Sequence, residues 1–136
     1  MARPHSHIDQ YRKDAVTSAS PLQLVVMLYD GALKFMAAGK RAIAEGNVFE
    51  QNKNIQRAQK IIAELISCLD MRKGGEVAQN LMALYTFCYN KLVEANLEDN
   101  AEAIDQVSEV LNNLRSSWVE LEKSMRTSNG QKLEAA

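Results

Sequence analysis

Apolar residues recur along this chain in steps of three and four over four separate stretches, and nowhere do they alternate with polar residues for the length of a strand. The cleanest stretch is Ile104, Val107, Leu111, Leu114, Trp118, Leu121 and Met125, a seam about 120° wide on a helix surface. Ile55, Ala58, Ile62, Leu65 and Leu69 repeat it upstream. Start and stop signals separate the stretches. Ser20-Pro21-Leu22-Gln23 is a capping box with proline at the first helical position, where its missing N–H removes nothing. Gly46 supplies a left-handed stop, Asn47-Val48-Phe49-Glu50 and Asp99-Asn100-Ala101-Glu102 repeat the box spacing, and Met71 to Gly75 reads as a turn. The spacing predicts helices over about 21–45, 48–70, 76–96 and 100–124, each roughly 33–38 Å long. The short loops between them force neighbours antiparallel, so residues 20–124 are expected to form an all-α, up-and-down four-helix bundle. Residues 1–19 lack a sustained period and read as a flexible N-terminal arm; 125–136 read as a disordered C-terminal tail.

The apolar stripes differ in width. On the third helix Val77, Leu81, Tyr85, Cys88, Leu92 and Ala95 already make a core face. Met82, Tyr89 and Val93 widen one flank and Leu84 and Phe87 the other, to about 240° in all. The first helix is as broad, with apolar residues from Leu24 to Met36 around most of its circumference. A four-helix core needs less. The surplus is covered either within the protein, by the arm, the tail or a second copy, or by an apolar segment of a partner lying in a groove.

Charge and composition narrow the function. Sixteen basic against seventeen acidic residues give a net charge of −1, which does not recommend a nucleic-acid partner. The longest unbroken apolar run, Leu24 to Tyr29, is six residues, and the N-terminus has no apolar core of a secretory signal; no membrane insertion and a cytosolic location are expected. His5 and His7 are the only histidines and both precede the bundle, so no bundle histidine can serve as a general base, and no catalytic residue, metal site or cofactor is assigned. Cys68 and Cys88 lie within helical pattern and read as small buried hydrophobes. From Asp99 to Glu122 six carboxylates face Arg115 as the one basic residue, which is either a solvated acidic face or a docking surface for a basic partner.

Taken in order, several strings resemble a known family. Tyr11 to Val16 leads into Ser18-Ala19-Ser20-Pro21 and Leu24-Val25-Val26-Met27-Leu28-Tyr29-Asp30-Gly31-Ala32; then come Ala58-Gln59-Lys60-Ile61-Ile62, Leu69-Asp70, Gly74-Gly75-Glu76-Val77-Ala78, Asn80-Leu81, Leu84-Tyr85, Leu92, Ala95-Asn96 and Trp118. Together they resemble the flagellar export chaperones of the FliS family over roughly residues 11–120. The resemblance implies a cytosolic, non-enzymatic chaperone that binds the disordered C-terminal segment of flagellin, prevents premature filament polymerisation and supports export through the flagellar type III secretion apparatus, with the export gate as a further partner. It implies a monomer or weak dimer; a homodimeric helical adaptor without a flagellin client is the competing reading. Combined with the surplus width, it points to a client groove of Ile55, Ile62, Met82, Tyr85, Tyr89 and Val93, with Tyr11 and Val16 as an N-terminal lid.

Overall fold

The computed structural model describes residues 20–135, with side chains from 20 to 128. Its four helices are α1 (Pro21–Glu45), α2 (Val48–Ser67), α3 (Met71–Glu98) and α4 (Ala101–Ala135), and no strand occurs among the described residues. Each helix starts where a side chain can satisfy exposed N–H groups. Ser20 and Gln23 close a reciprocal capping box ahead of α1, the Asn47 side chain accepts from Glu50 N ahead of α2, and Asp70 accepts from Arg72 N and Lys73 N ahead of α3. At α4 the cap is Asn100, which accepts from Ala103 N, one residue later than the box spacing suggests. Gly46, with φ at 68°, ends α1 in the left-handed region.

The helices form a ring in which each packs on its two chain neighbours and α1 closes on α4. Cross-helix contacts fix the directions. Gly31 lies against Ile61 and Gly39 against Ile55, while Asp30 pairs with Arg115 and Lys40 with Asp105, so α1 runs antiparallel to both neighbours. A Cβ at Gly39 would sit 2.9 Å from Ile55 Cγ1; the missing side chain is what lets α1 and α2 approach. The core is continuous: Tyr29, Met36, Ile55, Ile62, Leu65, Tyr85, Leu92, Ile104, Val107 and Leu111 are all buried in it. Fully burying a side chain of this size stabilises the fold by roughly 1.5–3 kcal/mol before chain entropy is subtracted.

Several boundaries depart from the expected ones. Helix α2 stops at Ser67 with Cys68 as its C-cap, and that cysteine is exposed; only Cys88 is buried. The expected turn at Met71 to Gly75 is a helical turn capped by Asp70, broken from the rest of α3 by Gly75 at φ 54° and ψ −130°. Behind this break Ala78 takes the core position and Val77 is 66% exposed, because the helix resumes in a different phase. Helix α3 continues to Glu98, past Asn96, before Asp99 adopts the left-handed region. Helix α4 keeps helical backbone beyond Ser124 to Ala135, but its contribution to the core ends at Trp118, and Leu121 and Met125 are exposed. Among the described helices, α1 is long and apolar enough to cross a membrane, a property that the count of unbroken apolar residues misses. Here it packs as a bundle helix, with Tyr29, Ala32, Met36 and Ala42 buried against its neighbours.

Candidate functional site

Three of the six expected groove residues are core. Ile55, Ile62 and Tyr85 are buried, since each sits on the inward line of its helix, one or two turns from other core positions of the same stripe. All three belong to the hydrophobic core. The other three, Met82, Tyr89 and Val93, are partly exposed and lie on one flank of α3. That flank faces α2, as shown by Asn96 Nδ2 donating to Asn52 Oδ1 at 2.9 Å one turn further along. Tyr11 and Val16 lie outside the described residues.

A depression runs between α2 and α3. Its apolar part, about 260 Å³, is lined by Ala63, Ile66, Thr86 and Tyr89. A broader and more polar cleft of about 670 Å³ continues along α2 past Phe49, Asn52, Gln56, Gln59 and Lys60, and shares Ala63 and Tyr89 with the first. The small side chain of Ala63 makes the hollow and the Tyr89 ring makes its wall. Sequence reasoning missed Ala63 and Ile66, although Ile66 stands four residues after Ile62 and on the α3 side of the α2 seam. What this arrangement can do chemically is hold apolar side chains of an extended or helical segment, with amides and a tyrosine hydroxyl at the rim to meet its backbone.

A polar contact joins three of the helices. The hydroxyls of Tyr29 and Tyr85 are 2.5 Å apart, and Trp118 Nε1 donates to Tyr29 at 3.0 Å. Side chains of α1, α3 and α4 thus meet at one point. Burial, first, and the bond to Tyr85 hold the Tyr29 phenol well above its ordinary value; burial alone pushes the Cys88 thiol up to about 11. At the loop end of the bundle Gln51 Nε2 donates to Asp99 Oδ1 at 2.7 Å and to the Asn96 carbonyl at 3.2 Å, tying the start of α2 to the end of α3. No cluster of metal-ligating side chains occurs among the described residues.

A family model described as flagellar protein FliS matches residues 4–125. The chain belongs to the FliS family. It is 36% identical over 115 residues to the flagellar secretion chaperone FliS of Vibrio cholerae, covering 82% of this chain and 85% of that protein. The flagellar secretion chaperone FliS of Salmonella typhimurium is 37% identical over 110 residues, 80% of this chain and 82% of its own, and that of Campylobacter jejuni 39% over 111 residues, 82% and 87%. These FliS relatives are named as flagellar secretion chaperones.

Proposed function

We propose that this FliS-family chain is a cytosolic chaperone for flagellin, binding its disordered C-terminal segment in the α2–α3 groove, blocking premature polymerisation and delivering the subunit to the export gate of the flagellar type III apparatus. The observation that carries this reading is the partly exposed line Met82, Tyr89 and Val93 beside the hollow at Ala63, in a family whose relatives are named for flagellar secretion. An unfolded client forms helices as it lays apolar side chains into such a groove, and the burial gain offsets the ordering entropy. Inhibition is then competition for surface: client residues held by the chaperone are unavailable to other flagellin subunits. No covalent step is involved.

The experiment is a calorimetric titration of flagellin, full-length and lacking its C-terminal segment, into the chain. Binding by full-length flagellin alone supports the reading, and equal binding by both sinks it. Sedimentation of the free chain addresses the homodimeric adaptor, which requires a stable dimer at micromolar concentration.

A further inference from the structure

The three most exposed large apolar side chains among the described residues are Val48, Phe49 and Leu97, at 70%, 73% and 80%. All three lie at one end of the bundle. Val48 and Phe49 form the first turn of α2 and Leu97 belongs to the last turn of α3, and the Gln51 bonds to Asn96 and Asp99 hold those two turns side by side. Their exposure is therefore built in by the loop-end geometry, since the capping pattern fixes α2 at Asn47 and the left-handed Asp99 stops α3 just after Leu97. Apolar side chains on a rigid, hydrogen-bonded end are a docking surface in waiting.

Charge around the patch selects the occupant. Lys40, Lys53 and Lys91 are engaged by Asp105, Glu50 and Glu94. What remains in the end turns is Glu45, Glu98, Asp99 and Glu102 against Arg41, an excess of negative charge around Val48 and Leu97, while Arg57 and Lys60 lie further along α2 in the cleft that Phe49 lines. A second copy of the chain, related by a two-fold axis through the patch, would bring these carboxylates against themselves. An anionic membrane surface would meet the same repulsion. We propose that Val48, Phe49 and Leu97 dock a basic amphipathic helix of another protein, with its apolar stripe on the three side chains and its lysines or arginines on the surrounding carboxylates. Val48 and Leu97 line neither part of the α2–α3 depression, whereas Phe49 also lines its broader cleft, so the two sites adjoin at Phe49 and are told apart at Val48 and Leu97. A patch on the order of a few hundred Å² corresponds to a transient contact, of micromolar rather than nanomolar affinity.

The test uses the full chain, isotopically labelled, and two synthetic 18-residue helical peptides with leucine along one face and either lysine or glutamate on the other. The leucine–lysine peptide is expected to give saturable amide shifts grouped at residues 45–49 and 97–102, and the leucine–glutamate peptide none. Val48→Ser combined with Leu97→Ser is expected to weaken binding at least tenfold, as is Glu98→Lys combined with Glu102→Lys, while binding of the flagellin segment is unchanged in both. All four positions are exposed, so the fold tolerates these changes. The proposal is overturned by absent or non-saturable shifts, by shifts centred on the α2–α3 groove, by unchanged affinity in either double variant, or by a wild-type dimer that the serine variant dissociates. Because the shift map is read on the unmodified chain, a misfolded variant leaves it decisive.

Discussion

Tyr29 on α1 and Tyr85 on α3 share a hydroxyl–hydroxyl contact across the bundle, and Tyr29 also receives the indole N–H of Trp118. The arrangement is ordered. Trp118 can only donate, so Tyr29 accepts from it and its own proton is free for Tyr85. Tyr29 is therefore the middle of the chain of bonds.

Tyr29→Phe strands the buried Tyr85 hydroxyl and the partly buried Trp118 indole, whereas Tyr85→Phe leaves the Trp118 bond to Tyr29 in place. A buried group deprived of its partner costs about 1–3 kcal/mol. Thermal unfolding is expected to show the larger loss for Tyr29→Phe, and equal losses would mean that the indole bond contributes nothing. The same site sets an alkaline limit. The folded state holds Tyr29 above its ordinary 10.0, so the neutral phenol is favoured by folding; that contribution is complete below pH 10 and declines as pH rises past it, where the unfolded chain ionises first. The stability of Tyr29→Phe is expected to fall less steeply above pH 10 than that of wild type.

The two cysteines should separate by reactivity. Cys68 caps α2 in solvent, while burial raises Cys88 to about 11 from an ordinary 9.0. With a thiol reagent at pH 8 one equivalent is expected to react at once and the second only in denaturant. For Cys88 the sign matches that of Tyr29: its contribution to stability is intact below pH 9 and is lost between 9 and about 11. Two fast equivalents in the native protein would show that the core opens readily.

Surface and core on the α2–α3 side are distinguished by cost. Tyr89→Ser and Val93→Ser remove partly exposed side chains and should cost under about 1 kcal/mol, while Ile55→Ala or Ile62→Ala opens a buried cavity at about 2–5 kcal/mol. Flagellin-segment affinity is expected to move in the opposite order, falling for Tyr89→Ser and Val93→Ser. Paired melting and titration curves check both. Intact affinity with a large loss of stability in the serine variants would place the groove elsewhere.

Why three of the expected groove residues lie in the core is visible in the residues themselves. Period and capping chemistry are local, so the helices, their order and most of the core seam could be read directly: Ser20, Asn47 and Gly46 act where the pattern puts them. Which edge of a broad stripe faces inward is not local. Periodicity already places Tyr85 on the inward line with Cys88 and Leu92, and Ile55 and Ile62 on the inward seam of α2, so a groove drawn from stripe width alone takes in core residues. Val77 and Ala78 exchange roles because Gly75 resets the helical phase, a backbone event that periodicity cannot register. Ala63 escaped notice because a hollow is made by what a small side chain leaves out, and the exposed end at Val48, Phe49 and Leu97 because a capping box says where a helix begins and nothing about what covers it.

Tyr11 and Val16 precede the described residues. We propose that this segment covers part of the client groove in the free protein and leaves when flagellin binds. The motive is the pairing of a charged, non-periodic stretch with two apolar side chains next to helices whose apolar faces exceed what the core uses. An amphipathic tyrosine suits reversible docking, since its ring can be buried while its hydroxyl stays wet. A groove open only part of the time binds its client more weakly by the inverse of the open fraction. One docked side chain holding the covered state by about 1.4 kcal/mol corresponds to a factor of ten. Tyr11→Ala is therefore expected to tighten binding of a flagellin C-terminal peptide by up to about tenfold without changing the melting temperature. If Tyr11 instead touches the client, the same substitution weakens binding by a similar factor, and an unchanged dissociation constant removes the residue from the groove altogether. Titrating the peptide into wild type and Tyr11→Ala separates the three outcomes by sign.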